Sequence, residues 1–128
     1  MQYIKGMQFY QNDKKTAITL GKFDGLHRGH ETLIERVIEH QKNDGVDSVV
    51  FAFDMAPLYE KIKKKKESLI TNEERAGRLF GRVDYLVECP FVEAVSKIEA
   101  ETFIKEILVK QFHAKYIVVG TDFHFGYQ

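Results

Sequence analysis

The sequence is short of several things, and each shortage excludes a class of protein. Two prolines and three serines in 128 residues leave no room for a flexible linker or a mucin-like tract. Cys89 is the only cysteine, so no internal disulfide can form and a reducing compartment is expected. Neither charge is in excess, with 19 basic against 19 acidic residues. That balance argues against a bulk nucleic-acid binder, which needs surplus Lys and Arg to displace counterions. It leaves room for a small phosphorylated ligand. No apolar run approaches the length of a membrane span, and the opening MQYIKGMQFYQND lacks the apolar core of a secretion signal. These absences predict a cytoplasmic chain with neither membrane nor nucleic-acid partners.

What is present is the material of one domain. Of the residues, 44% are hydrophobic, and a chain of this length buries roughly two-thirds of its unfolded surface on folding. Thr16 to Gly21 (TAITLG) is a β-branched run ending in glycine and predicts a buried strand, as does Asp47 to Phe53 (DSVVFAF). Val83 to Glu88 and Lys115 to Gly120 predict two more. Between them, Glu31 to Gln41 places Leu33, Ile34, Val37 and Ile38 on one helical face. Thr71-Asn-Glu-Glu74 and Ser96-Lys-Ile-Glu99 have the form of capping boxes. The second would open a helix with Phe103, Ile104, Ile107, Leu108 and Phe112 inward. Alternating strands and helices predict an α/β fold, a parallel sheet flanked by helices on both faces. Ligands of such sheets bind at the carboxyl ends of the strands, where strand order reverses.

The segment after the first strand, Gly21-Lys-Phe-Asp-Gly-Leu-His-Arg-Gly-His30, carries three glycines and two histidines. Glycine permits a tight turn and close approach of a ligand to the backbone. The helix that follows offers unpaired N–H groups and a positive dipole end, which suit a phosphate. His27 and His30 are three apart, so both imidazoles can face one anion, and Gly29 between them keeps that approach open. Either histidine alone reads as an ordinary surface residue; the pair within this glycine pattern points to function. A metal set of Asp24, His27 and His30 is weaker, since a structural zinc site needs four ligands and only one thiol exists.

The stretch GKFDGLHRGH resembles the G-x-F-D-G-x-H-x-G-H signature of the prokaryotic FAD synthetases. The segment Ile117 to Gly126 (IVVGTDFHFG) is similar to that family's V-V-G-x-[DN]-F-x-F-G. Val50-Phe-Ala-Phe-Asp54, closely followed by Pro57, stands where the family has a Phe-[DE]-Pro-His-Pro loop. Leu69, Thr71 and Glu73, then Pro90-Phe91 and Phe103-Ile104, match further positions in the same order.

The resemblance implies a Rossmann-like nucleotidyltransferase fold and an FMN adenylyltransferase, which makes FAD and pyrophosphate from FMN and ATP with Mg²⁺ on the nucleotide. It places His27 and His30 on the ATP phosphates as the catalytic pair. Gly21, Phe23, Asp24, Gly29 and Asp122 would bind ATP. Asp54, Met55 and Pro57 would hold FMN, with Met55 packed against the flavin ring. Phe123 and Phe125 serve equally as pocket wall or as core. Lys61 to Lys66, five lysines in six residues, reads as a solvated loop. His40 and His113 read as surface residues, and His124 falls within the last motif.

Two departures from the family pattern carry expectations. Met55-Ala56 stands where the family has Pro-His. The family's later Ser-Ser-Thr and arginine segment has no counterpart before Gln128. The residues 1–128 are therefore expected to be an incomplete adenylyltransferase domain without a riboflavin kinase domain. An unfinished apolar sheet edge after the fourth strand would invite self-association. Another nucleotidyltransferase, such as a cytidylyltransferase, and a non-catalytic nucleotide-binding remnant are the other readings.

Overall fold

Runs such as TAITLG and DSVVFAFD are apolar at consecutive positions, so they gain most when both faces of the strand are covered. The computed structural model, which describes residues 1–22, 28–57, 76–77, 79 and 81–120 and only the backbone of Arg28 and Gly29, buries them in this way. Strand β2 (Thr16–Gly21) is buried at every residue. Helix α1 (Arg28–Asp44) leads from it to β3 (Asp47–Asp54), buried at all but its two ends. Strand β4 (Tyr85–Pro90) follows, and β5 (Ala114–Val118) is the last. A short strand at the start, β1 (Gln2–Lys5), completes a five-stranded sheet of order β1-β4-β3-β2-β5, parallel throughout.

The expected α/β architecture is present, with one more strand than the four read from the sequence. β1 is only four residues of mixed exposure, too short for an apolar run to mark it. The third and fourth predicted strands exist with shifted bounds. Asp84 stands outside β4 because its side chain gathers the amino ends of the sheet. Its carboxylate accepts from Gln41 Nε2 at 2.5 Å and from the Ser48 N–H at 3.0 Å, while its own N–H donates to Ser48 Oγ at 2.8 Å. Helix α1 begins three residues before the predicted start and ends at Gly45. There φ is 69° and the N–H returns to the Gln41 carbonyl at 2.8 Å, a left-handed helix stop that glycine makes cheap.

The connection from β4 to β5 departs furthest from expectation. Ser96 opens no helix: it ends α2 (Glu93–Ser96), its Oγ donating to the Glu93 carbonyl at 2.8 Å. After α3 (Ala100–Thr102), residues Phe103–Gln111 form a π-helix, and the Phe112 N–H reaches five residues back to the Ile107 carbonyl at 3.0 Å. Phe103 and Leu108, five apart, therefore share the inner face with Phe112. Ile104, expected inward, is 44% exposed because the wider helix turns it away. The Thr71 capping box lies outside the described residues; Ala76 and Leu79 beyond it are helical and face the core.

Two packed layers flank the sheet. On one side Ile18, Leu20, Phe51 and Val87 meet Tyr10, Phe103, Leu108 and Phe112. On the other, Val50, Ala52 and Leu86 meet Ile34 and Leu79, while Ala17 meets Val37. His40 and His113, read as surface residues, are both half-buried. The His40 ring stacks on Tyr116 at 3.9 Å, and His113 turns the chain into β5 with φ 54°.

Phe112 is fully buried, stacked on Tyr10 at 4.2 Å and edge-on to Phe51 at 5.5 Å. Phe112→Ala is expected to cost about 3–5 kcal/mol in urea unfolding. Val109→Ala, on the exposed side of the same helix, should change stability by under about 0.5 kcal/mol. Burial pushes the Tyr10 phenol up to about 12. The unfolded chain releases that proton near the ordinary tyrosine value of about 10, so stability should be full below that pH and fall as pH rises towards 12. Urea midpoints across this range should flatten in part in Tyr10→Phe, the remaining slope coming from other raised groups, Tyr85 and Cys89 among them.

Candidate active site

An open parallel sheet has a crevice where its strand order reverses, at the carboxyl ends of the strands. Here the reversal falls at β2. Helix α1 carries the chain from β2 to β3 on one side, and β5 lies on the other. Thr19 registers with Val118, so Gly21 and Gly120 each follow two residues further along adjacent strands. Gly21 and Gly120, where the described parts of the two densest sequence motifs stand, therefore lie at the same end of neighbouring strands.

Gly21 is buried and registers with Ala52 of β3. Six residues after Lys22, α1 begins at Arg28, with Gly29 and His30 in its first turn. The start of α1, with the positive end of its dipole, stands at this crevice. His30 is half-buried on the same helical stripe as Ile34 and Val37, which are sealed against the sheet. Phe23, Asp24 and His27 lie outside the described residues, as do Asp122, Phe123, His124, Phe125 and the lysine run.

An ion pair absent from the sequence reading braces this helix start. Arg82 donates from Nη1 and Nη2 to the two Glu31 carboxylate oxygens at 3.0 and 2.8 Å. The Glu31 carboxylate holds the Arg82 guanidinium above its ordinary value. The fork geometry ties the first turn of α1 to the segment entering β4. The two residues are 51 apart, and no local spacing marks them as a pair.

At the end of β3, Asp54 is half-buried. Its Oδ1 accepts from the Ala56 N–H at 3.1 Å and its carbonyl from the Phe91 N–H at 2.8 Å. The carboxylate thus caps the turn that Ala56 and half-buried Pro57 enter. Met55 is 3% exposed and belongs to the core cluster with Phe53 and Cys89, so it supports this lip from below and offers no open surface. The sheet brings Gly21 and Asp54 to neighbouring strand ends. Cys89, at the end of β4, has its thiol pushed up to about 11 by burial, which removes thiolate chemistry near neutral pH.

Among the described residues no group of three or more His, Cys, Asp or Glu side chains gathers to hold a metal. A Mg²⁺ ion that arrives on nucleotide phosphates needs no such cluster, because it keeps waters and phosphate oxygens as ligands. Among the described residues no helix is long and apolar enough to cross a membrane.

The model of the FAD synthetase family matches residues 9–128. The bifunctional riboflavin kinase/FMN adenylyltransferase of Buchnera aphidicola from Schizaphis graminum is 30% identical over 130 residues. The match spans 98% of this chain and 41% of that protein. The protein of the same description from Escherichia coli K12 is 32% identical over 112 residues, 86% of this chain and 36% of its own. The chain thus spans about two-fifths of the length of these relatives. Among solved structures, one described as a macrolide-efflux protein from Streptococcus pneumoniae superposes with a TM-score of 0.81 at 25% identity. That superposition covers 98% of this chain and 43% of the other.

The Arg82–Glu31 pair can be tested in a double-mutant cycle with Glu31→Gln and Arg82→Met. The pair is about one-third exposed, and a coupling of about 0.5–1 kcal/mol is expected at low salt, shrinking in 1 M salt.

Proposed function

Since the chain belongs to the FAD synthetase family, we propose that residues 1–128 carry the adenylyltransferase part of such an enzyme. The reaction is transfer of AMP from ATP to FMN, giving FAD and pyrophosphate. The observation that carries this reading is the placement of His30 and Gly29 in the first turn of α1, at the crevice where strand order reverses beside the buried end of β2. Both curated relatives described above bear FMN adenylyltransferase in their names. The riboflavin kinase activity in those names is assigned to no residue of this chain.

In the proposed reaction an FMN phosphate oxygen bonds to the α-phosphorus of ATP. The bond from that phosphorus to the β-phosphate bridging oxygen breaks, and pyrophosphate leaves in line. No covalent enzyme intermediate is needed, so the protein supplies position and charge stabilisation. His30 and His27 donate to phosphate oxygens, and the helix-start N–H groups of α1 add to the same field. Gly21, Phe23, Asp24, Gly29 and Asp122 shape the nucleotide side, with Phe123 and Phe125 as its wall. Asp54 and Pro57 form the flavin side, over a floor that includes Met55. Mg²⁺ bound with ATP would neutralise phosphate charge. The substrates place the reaction in the cytoplasm. The edge strand β5, with Ile117 39% exposed within its pairing with β2 and Val119 44% exposed just past it, is the surface for self-association.

The test is to incubate the chain with ATP, Mg²⁺ and FMN and to follow FAD by chromatography. The assay is repeated on a polypeptide extended beyond Gln128. FAD is expected from the extended protein, and little or none from residues 1–128 alone. In the extended protein His30→Ala should slow formation ~10²–10³-fold. An extended protein that makes no FAD, or a His30→Ala protein as fast as its parent, refutes the proposal. Turnover with CTP in place of ATP would favour a cytidylyltransferase.

A further inference from the structure

Three threonine and serine side chains are fully buried among the described residues. Two of them are hydrogen-bonded. Thr16 Oγ1 donates to the Phe112 carbonyl at 2.8 Å, and Ser48 Oγ accepts from the Asp84 N–H at 2.8 Å. The third, Thr19, has an exposure of 0%, and its Oγ1 has no hydrogen-bond partner among the described residues. A hydroxyl buried unpaired destabilises the fold, and a valine of the same shape would not. Strand β2 therefore keeps a polar atom where an apolar one would fold better. Such a conflict between local chemistry and stability is expected at functional positions.

The position of Thr19 narrows what the hydroxyl is for. Side chains alternate along a strand, so Thr19 shares the face of Ala17, on which Val37 of α1 packs. One helical turn nearer the start of α1, Ile34 packs over Val50 and Ala52 of the neighbouring strand. Thr19 thus lies under the first half of α1, two residues before the buried end of β2. The stripe that α1 turns to the sheet runs His30, Ile34, Val37, Gln41. Ile34 and Val37 have no polar atom, and Gln41 is committed to Asp84 at the opposite end of the sheet. On this stripe His30 alone brings a polar atom to Thr19's end.

We propose that Thr19 is a positioning residue for His30, its hydroxyl donating to one imidazole nitrogen once nucleotide phosphates engage the other. Donation to one ring nitrogen leaves the N–H on the other, so the hydroxyl selects the tautomer that donates to phosphate. Because Thr19 is sealed from solvent, it acts through His30 and touches no ligand. The phosphate ligand in this inference rests on the adenylyltransferase reading.

The full chain is compared as wild type, Thr19→Val and Thr19→Ser. Thermal unfolding and the ¹⁵N shifts of the His30 ring are recorded with and without ATP, the ring being assigned with His30→Gln. FAD formation is followed in the same variants of the extended protein. Thr19→Val is expected to raise Tm by about 3–6 °C, because it removes an unpaired buried hydroxyl. It should also shift the His30 ring signals of the ATP complex and lower kcat about tenfold, with KM for FMN little changed. Thr19→Ser should restore the ring signals and most of the turnover. A lower Tm in Thr19→Val, or identical His30 signals in wild type and Thr19→Val with ATP present, overturns the proposal. If no FAD forms while ATP still moves the His30 signals, the adenylyltransferase reading fails and the signals still decide the role of Thr19. A His30 signal that ATP leaves unmoved overturns the role of Thr19 directly.

Discussion

All six residues of β2 are buried, with Ile18 and Leu20 on one face and Ala17 and Thr19 on the other, so this strand needs a neighbour on each edge and a cover on each side. The neighbours are β3 and β5, both parallel to it. Parallel neighbours cannot be joined by tight hairpins, so each crossover must return along a face of the sheet. The crossovers supply the covers: α1 on one side, the π-helix with Phe103 and Leu108, followed by Phe112, on the other. The same geometry sets the start of α1 beside the end of β2. A buried central strand thus brings a helix N-terminus to the crevice before any ligand is considered.

The two ends of the sheet are built differently. At the amino ends, polar side chains close on each other. Asp84 gathers Ser48 and Gln41, while Asp47 accepts from Asn12 Nδ2 at 2.8 Å and pairs with Lys14 at 2.8 Å. At the far end of α1, Asp44 accepts from the Tyr116 hydroxyl at 2.8 Å and pairs with Lys115 at 2.6 Å, fixing the helix to the edge strand. At the carboxyl ends, Gly21, Asp54 and the α1 start converge on a crevice braced by Arg82 and Glu31. Polar side chains close on each other at one end, and the other end presents the groups proposed to do the chemistry.

How much of this was legible in the sequence depends on how local the signal is. β2 could be bounded to the residue, because TAITLG is apolar throughout and glycine ends it. The GKFDGLHRGH motif carries the family resemblance in its own spacing, and the family model matches residues 9–128. β1 escaped notice because four half-exposed residues form a strand only when β4 is there to pair with. Ile104 faces inward only at ordinary helical spacing; the π-helix sets its inward residues Phe103 and Leu108 five positions apart and leaves Ile104 exposed. Met55, read as a flavin contact, lies in the core because β3 continues one residue beyond its apparent end before the Asp54 cap turns the chain.

Composition and pattern alone determined the fold class, the buried strands, the family resemblance and the motif that bears the two histidines. Each of these depends on neighbours along the chain. Only the tertiary structure decided that β2 and β5 are adjacent, which brings Gly21 and Gly120 to the same end of neighbouring strands. It also decided that Arg82 braces Glu31 and that Thr19, unremarkable in the sequence, is a buried hydroxyl with no partner among the described residues. Pairing and burial are properties of the packed sheet. They arise from contacts between distant segments, and no local spacing encodes them.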